Sequence, residues 1–274
     1  MKDKISITLN KQLLKKVDSS IDRLFIRNRS QAIEVLLKNY LDREKQAVIL
    51  FGGPEEKLMI GGQYIPSIII KGLSLIEKTV RKLRENGFRE IYIIARKKIL
   101  ESIFFILKTG SHLGVKIKYI EEKKSSGSAS SLKLVKKEIS NTFLMVYGDI
   151  LFDKIKINDL WNFHLQNNSF VTLSLITFDK PSLKGEVFLD GSDIVSFNQK
   201  PKKKAGKENS YLVWCPIAVC EPEMLHYEGS SLEENIFPAL AKNRLLKGYI
   251  SAERETHIHS KKDLEEVNKN AKIK

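Results

Sequence analysis

The sequence predicts an α/β chain in two parts, a small strand–helix–helix unit over residues 1–45 and a larger unit over residues 46–274. Three observations carry this. From Ala47 onward, apolar runs of strand type alternate with stretches of helical periodicity, the pattern of a mostly parallel sheet with helices on both faces. Before Ala47, one strictly alternating segment precedes two amphipathic stretches. The composition, 42% hydrophobic and 29% charged, gives the 274 residues enough apolar surface for a real core.

In Lys4-Ile5-Ser6-Ile7-Thr8-Leu9, Ile5, Ile7 and Leu9 share one strand face and Lys4, Ser6 and Thr8 the other. Asn10 is a good N-cap for a helix carrying Leu13, Leu14, Val17, Ile21 and Leu24 at helical spacing. Arg27-Asn28-Arg29-Ser30 follows, with Ser30 as the expected cap of a second helix striped by Ala32, Ile33, Leu36, Leu37, Tyr40 and Leu41. One strand and two helices bury too little alone. A second copy of the chain is the simplest completion, so a homodimer is expected.

The larger unit offers strands at residues 47–51, 90–95, 115–120, 143–147 and 171–177, with helices at 73–86, 97–109, 131–139 and 157–166. After Pro181 the pattern becomes hairpins and short strands, at 186–189, 194–199 and 211–220, before a last helix at 262–270. The basic loop at 200–207 reads as solvated.

A formal charge of +14 and a pI near 9.5 point to a polyanionic partner, or to a generally Lys-rich surface. Cys215 and Cys220, five apart in a strand-like run, point to opposite faces and form neither a disulfide nor a zinc site. No apolar run approaches a membrane span, and the first residues carry no apolar leader stretch. The expectation is a cytoplasmic protein without a membrane partner.

Residues 3–42 resemble the ribbon-helix-helix DNA-binding domain of small bacterial and archaeal repressors, with each element in order and at length. The resemblance implies two chains pairing their strands into a ribbon that enters the major groove of double-stranded DNA. That ribbon would present Lys4, Ser6 and Thr8 to base edges. Arg27, Arg29 and Ser30, at the start of the second helix, would meet phosphate. The alternative is a dimerisation module that never touches DNA.

Residues 47–270 resemble the sugar-phosphate nucleotidyltransferases, which implies a Rossmann-like α/β/α sandwich with a mixed sheet. The family's phosphate-gripping turn falls on Phe51-Gly-Gly-Pro-Glu-Glu-Lys57, where Gly52 and Gly53 persist but Glu55 and Glu56 enter. Two carboxylates there are expected to repel a triphosphate. The catalytic Lys of the family falls on Ile65, and the loop that contacts the base on residues 125–129, keeping Gly127. Asp149, following Tyr147-Gly148, is the candidate Mg²⁺ ligand if a nucleotide binds, or else a turn cap. On the sugar side the family's E-K-P becomes Gln199-Lys200-Pro201, and Trp214 is expected to fill an open pocket. The second metal-ligand Asp falls on His257, which alternates with His259; exposed structural histidines are expected there, a metal-binding pair being the alternative.

The losses at the clamp, the Lys and one metal ligand imply abandoned phosphoryl transfer. The expected protein is therefore a sequence-specific DNA-binding regulator with an inactive nucleotidyltransferase-like domain as sensor or assembly surface. The alternatives are an active transferase with altered chemistry and a DNA-coating protein.

Overall fold

Every residue of Gln46–Phe51 is buried, so the strand they form must be covered on both faces. The computed structural model describes residues 5–23, 26–43, 45–201 and 211–269, with backbone alone for 38–43 and 268–269. Its internal contacts divide into two units, Met1–Glu44 and Lys45–Lys274.

In the first unit Asn10 caps helix α1 (Lys11–Ser19), its side chain accepting from the Leu13 amide at 2.8 Å. The sequence pattern continues to Leu24, but the helix stops at Ser19. There the Ser19 and Ser20 hydroxyls turn back onto the Lys16 and Val17 carbonyls at 2.8 and 2.7 Å, an alternative to the helical ladder. Ile21 lies beyond the helix, and Leu24 outside the described residues.

Helix α2 (Arg29–Arg43) corrects a second expectation, since Ser30 sits inside it and does not cap it. Asn28 is the cap: its Oδ1 accepts from the Gln31 amide at 2.9 Å, and Gln31 Oε1 accepts from the Arg27 amide at 2.9 Å. Such a reciprocal box satisfies more of the helix start than a lone Ser30 could.

The expected strand at residues 4–9 is not formed over Ile5–Leu9, because a strand is defined by a ladder and the described part of this unit holds no second strand. Lys4 is outside the described residues, as are the side chains of Tyr40 and Leu41.

The second unit is built on a nine-stranded mixed sheet. Its strands are β1 (Gln46–Phe51), β2 (Glu90–Ala95), β3 (Lys116–Glu121), β4 (Phe143–Tyr147), β5 (Val171–Thr177), β6 (Gly185–Asp190), β7 (Asp193–Gln199), β8 (Leu212–Cys220) and β9 (Leu246–Ile250). They lie in the order β5-β9-β7-β6-β8-β4-β1-β2-β3. Strands β4, β1, β2 and β3 run parallel, and β8 joins β4 antiparallel. Strand β5 pairs with both β9 and β8, so the far half of the sheet closes into a ring of five strands.

Alternate residues of β1 enter two separate cores. Ala47, Ile49 and Phe51 meet helices α3 (Leu75–Glu85), α4 (Lys97–Leu107) and α6 (Ile157–Gln166), while Val48 and Leu50 meet α5 (Ser128–Leu132) and α7 (Phe237–Lys242). A final helix, α8 (Lys261–Lys269), adds Val267 to the first core. The helix expected at residues 131–139 instead starts at Ser128 and gives way after Leu132 to a 3₁₀ turn at Lys133–Val135. Cys215 and Cys220 are buried on opposite faces of β8, one in each core. Among the described residues no helix is long and apolar enough to cross a membrane.

Candidate functional site

The chain runs outward from β1 through β2 to β3 and returns to β4 on the other side of β1. That reversal opens a crevice past the carboxyl ends of the strands, where open α/β sheets take their ligands. Gly52 and Gly53 leave β1 there, Gly148 and Asp149 leave β4, and Gly127 leads into α5. Gly52, Gly53, Gly127 and Asp149 line one cavity of about 330 Å³, together with Ser128, Ser131, Tyr147, Gln199 and Glu233.

Gly127 is required by its backbone, with φ of 111° and a Ser230 carbonyl oxygen 2.4 Å from where a Cβ would stand. This close approach lets Ser230 O accept from the Ala129 and Ser130 amides at 2.9 and 3.1 Å, tying the loop to the start of α5.

Glu233 is a site residue that the sequence reading did not single out. Its carboxylate accepts from Tyr147 Oη at 2.5 Å, Ser128 Oγ at 2.6 Å and Ser231 Oγ at 3.0 Å. Burial, followed by the nearby Glu233 charge, pushes the Tyr147 phenol well above its usual range, so it stays a hydrogen-bond donor. Only a three-dimensional fold brings position 233 to 147, and no local motif signals it.

The electrostatics of the Gly-rich turn differ from expectation. Glu55 and Glu56 lie in a groove also lined by Arg96, Lys98, Lys123 and Lys124, four cationic side chains against two carboxylates. Glu55 Oε2 is 4.0 Å from Lys98 Nζ. Arg96 and Lys98 follow β2 and Lys123 and Lys124 follow β3, so parallel crossovers bring in the cations that offset the turn. Two carboxylates in sequence therefore do not make the groove acidic. Ile65, by contrast, is fully buried in the first core. Trp214 is buried and packs edge-on against Phe237, Tyr147 and Phe197, with centroids 5.0, 5.4 and 6.3 Å away, behind the Tyr147 that lines the cavity.

Asp149 has a different set of neighbours. The short strand Thr256–His257 pairs antiparallel with Ile150–Leu151, and the Ile258 amide donates to the Asp149 carbonyl at 2.9 Å. His257 and His259 are thereby brought beside Asp149 and are not isolated surface histidines. His259 Nδ1 is 3.6 Å from Asp149 Oδ2, and His259 Nε2 is 3.2 Å from His257 Nδ1. Asp149 Oδ1 is buried without a hydrogen-bond partner.

Behind them, buried Glu255 contacts Lys184 Nζ and lies 3.0 Å from His257 Nε2. Burial pushes its carboxyl up, but the His257 hydrogen bond and the Lys184 charge outweigh this and draw it down to about 2. Mg²⁺, which the resemblance implies, demands oxygen ligands. One carboxylate and two imidazoles do not fit it.

In the first unit Ser6, Thr8, Arg27, Arg29 and Ser30 are all exposed. The helix start is less open than its sequence implies, because the Gln31 amide is held by Asn28 Oδ1 and the Ala32 amide by the Asn28 carbonyl. Arg29 grips Asp18 of α1 through two bonds, Nε to Oδ1 at 2.7 Å and Nη2 to Oδ2 at 2.9 Å. Val17 and Ala32 are buried, whereas Ile5 and Leu37 remain 74% and 51% exposed, with Ile7, Leu13 and Leu36 exposed beside them.

Residues 46–262 match the nucleotidyl transferase family, which covers well over half of the chain. The chain belongs to the nucleotidyl transferase family. Residues 4–44 match the ribbon-helix-helix protein, copG family, so the two domains are fused in one chain.

Among curated relatives, the bifunctional protein GlmU of Methanococcus aeolicus is 28% identical over 57% of this chain and 36% of its own length. The chain thus spans about a third of that relative. The D-glycero-alpha-D-manno-heptose 1-phosphate guanylyltransferase of Campylobacter jejuni is 29% identical over 60% of this chain and 72% of its own. A Bacillus anthracis crystal structure assigned as a glucose-1-phosphate thymidylyltransferase, in complex with sucrose, superposes with a TM-score of 0.71. It covers 84% of this chain and 96% of that one at 18% identity, a likeness of fold.

Proposed function

We propose that the protein is a sequence-specific DNA-binding regulator that acts as a homodimer through residues 4–44, its nucleotidyl transferase domain serving as a ligand sensor and not as a transferase. The ribbon-helix-helix match carries the reading. Ser6 and Thr8 are exposed, and Lys4 shares their side of the alternating pattern, so paired strands would offer all three to the major groove. Ile5, Ile7, Leu13, Leu36 and Leu37 need cover that the described part of their own unit does not give them, and a second copy would supply it. Arg27 would face phosphate, and Arg29 would do so on exchanging its Asp18 partner for a phosphate.

A nucleotide or nucleotide sugar is the ligand class that the cavity and its basic groove suit, and the Campylobacter jejuni relative is named as a heptose 1-phosphate guanylyltransferase. Loss of transfer is supported by buried Ile65 standing where the family resemblance implies a catalytic Lys, and by the imidazoles at the metal position. A second reading, an active transferase with altered chemistry, is favoured by the four cations beside the Gly-rich turn.

Selection of duplexes by gel shift, followed by footprinting and by assay of pyrophosphate release across nucleoside triphosphates and sugar phosphates, tests both. A discrete palindromic footprint without turnover is expected, with Lys4→Ala and Thr8→Ala relaxing sequence preference. No retention of duplex at low salt overturns the regulator. Continuous protection along the duplex would instead indicate a coating protein, and pyrophosphate release abolished by Asp149→Ala a transferase.

A further inference from the structure

The donor set at the end of β4 is chemically specific. Among the described residues, Asp149, His257 and His259 are the one group of three or more His, Cys, Asp or Glu residues whose ligand atoms converge, all within 4.8 Å of one another. Ligand atoms held about 2.0–2.1 Å from a tetrahedral cation stand roughly 3.3 Å apart. His259 can offer Nε2, 3.2 Å from His257 Nδ1, or Nδ1, 3.6 Å from Asp149 Oδ2; each is a separation of that size, and with one ligand atom taken from each residue all three lie within 4.8 Å of one another. A buried carboxylate oxygen without a partner is costly, and Asp149 Oδ1 is such an atom.

The orientation of His257 is also fixed. Its Nε2 lies 3.0 Å from Glu255 Oε1 and 3.2 Å from Lys184 Nζ, which leaves Nδ1 as the nitrogen on the side of the cluster. A carboxylate behind a ligating histidine sets the tautomer and the ring angle in this way.

We propose that Asp149, His257 and His259 form a binding site for a borderline divalent cation of the zinc class, with Glu255 as its supporting carboxylate. Imidazole suits zinc, copper, iron and nickel, whereas magnesium prefers oxygen. Three protein donors leave a fourth position open, the pattern of sites that exchange a ligand. Asp149 also lines the cavity, so the cation would border the space a bound anion occupies. The inference stands apart from the DNA-binding reading, since neither domain's partner is needed for it.

The test uses the untagged full-length chain, stripped by chelator and titrated with Zn²⁺ against a chromophoric competitor, with Co²⁺ absorption reporting the ligand field. One Zn²⁺ per chain is expected, undisturbed by millimolar Mg²⁺. The double variant His257→Gln/His259→Gln should lose the site, and Glu255→Gln should weaken it by about 10–100-fold. His259→Gln, at a side chain 54% exposed, keeps the test clear of misfolding: Zn²⁺ should raise the melting temperature of wild type but not of this variant. Undiminished stoichiometry in the double variant, or displacement of Zn²⁺ by equimolar Mg²⁺, overturns the proposal.

Discussion

Gly148 is a residue whose size, and not its backbone freedom, decides its identity. A Cβ there would stand 2.2 Å from the Phe51 ring, and Phe51 is itself fully buried. The ring cannot retreat through a close-packed core, so the methyl group must displace backbone. Gly148→Ala is expected to cost about 1–3 kcal/mol, seen as a lower urea midpoint. His164 supplies a pH-dependent counterpart. It is buried between Thr172 Oγ1 at 2.9 Å and Glu221 Oε1 at 3.0 Å. Burial lowers its pKa below the ordinary 6.5, against the pull of Glu221. The neutral ring is thus favoured in the folded state, and on acidification the unfolded chain takes up this proton first. Its contribution is complete above pH 6.5 and drains as the pH falls below that, until the folded site protonates too. The urea midpoint should fall between pH 7 and 5, and His164→Gln should flatten that slope.

At the scale of elements, the start of α2 separates two candidate caps. Asn28→Ala should cost roughly 1 kcal/mol, whereas Ser30→Ala, already inside the helix, should be near neutral. Thermal melts of both variants check this. Sequence alone could not choose between them, because Asn and Ser are comparable caps and the choice turns on Gln31 reaching back to Arg27. Elsewhere the elements were plainly legible: the spans 90–95, 143–147, 157–166 and 171–177 agree with the structure residue for residue. Those strands are dense apolar runs with clear breaks, and few other conformations could bury them. The site was legible only where it rests on backbone. Gly52, Gly53, Gly127 and Asp149 were readable as turn and strand-end residues, while Glu233 and the flanking cations arrive from distant segments. Glu255 sits in alternation with His257 and His259, a period-two signal that was present but is short enough to overlook.

For the molecule as a whole, both core clusters consist of residues from Ala47 onward. Residues 46–274 expressed alone should therefore melt at nearly the temperature of the intact chain's larger transition. Residues 1–45 alone, with Val17 and Ala32 as their buried apolar residues among those described, should show a midpoint that falls on dilution. Calorimetry over a hundredfold concentration range distinguishes the two behaviours; a dilution-independent melt of the small unit would remove the need for a second copy.

Because five strands of the large sheet close upon themselves, the described sheet keeps a single unpaired rim, β3. An open rim is a template for runaway strand addition between molecules. This one carries Lys116 and Lys118, which pair with Glu90 and Glu138 and give the rim a charged face, the kind of edge that resists strand addition. The risk of aggregation through this sheet is thus confined to one charged border.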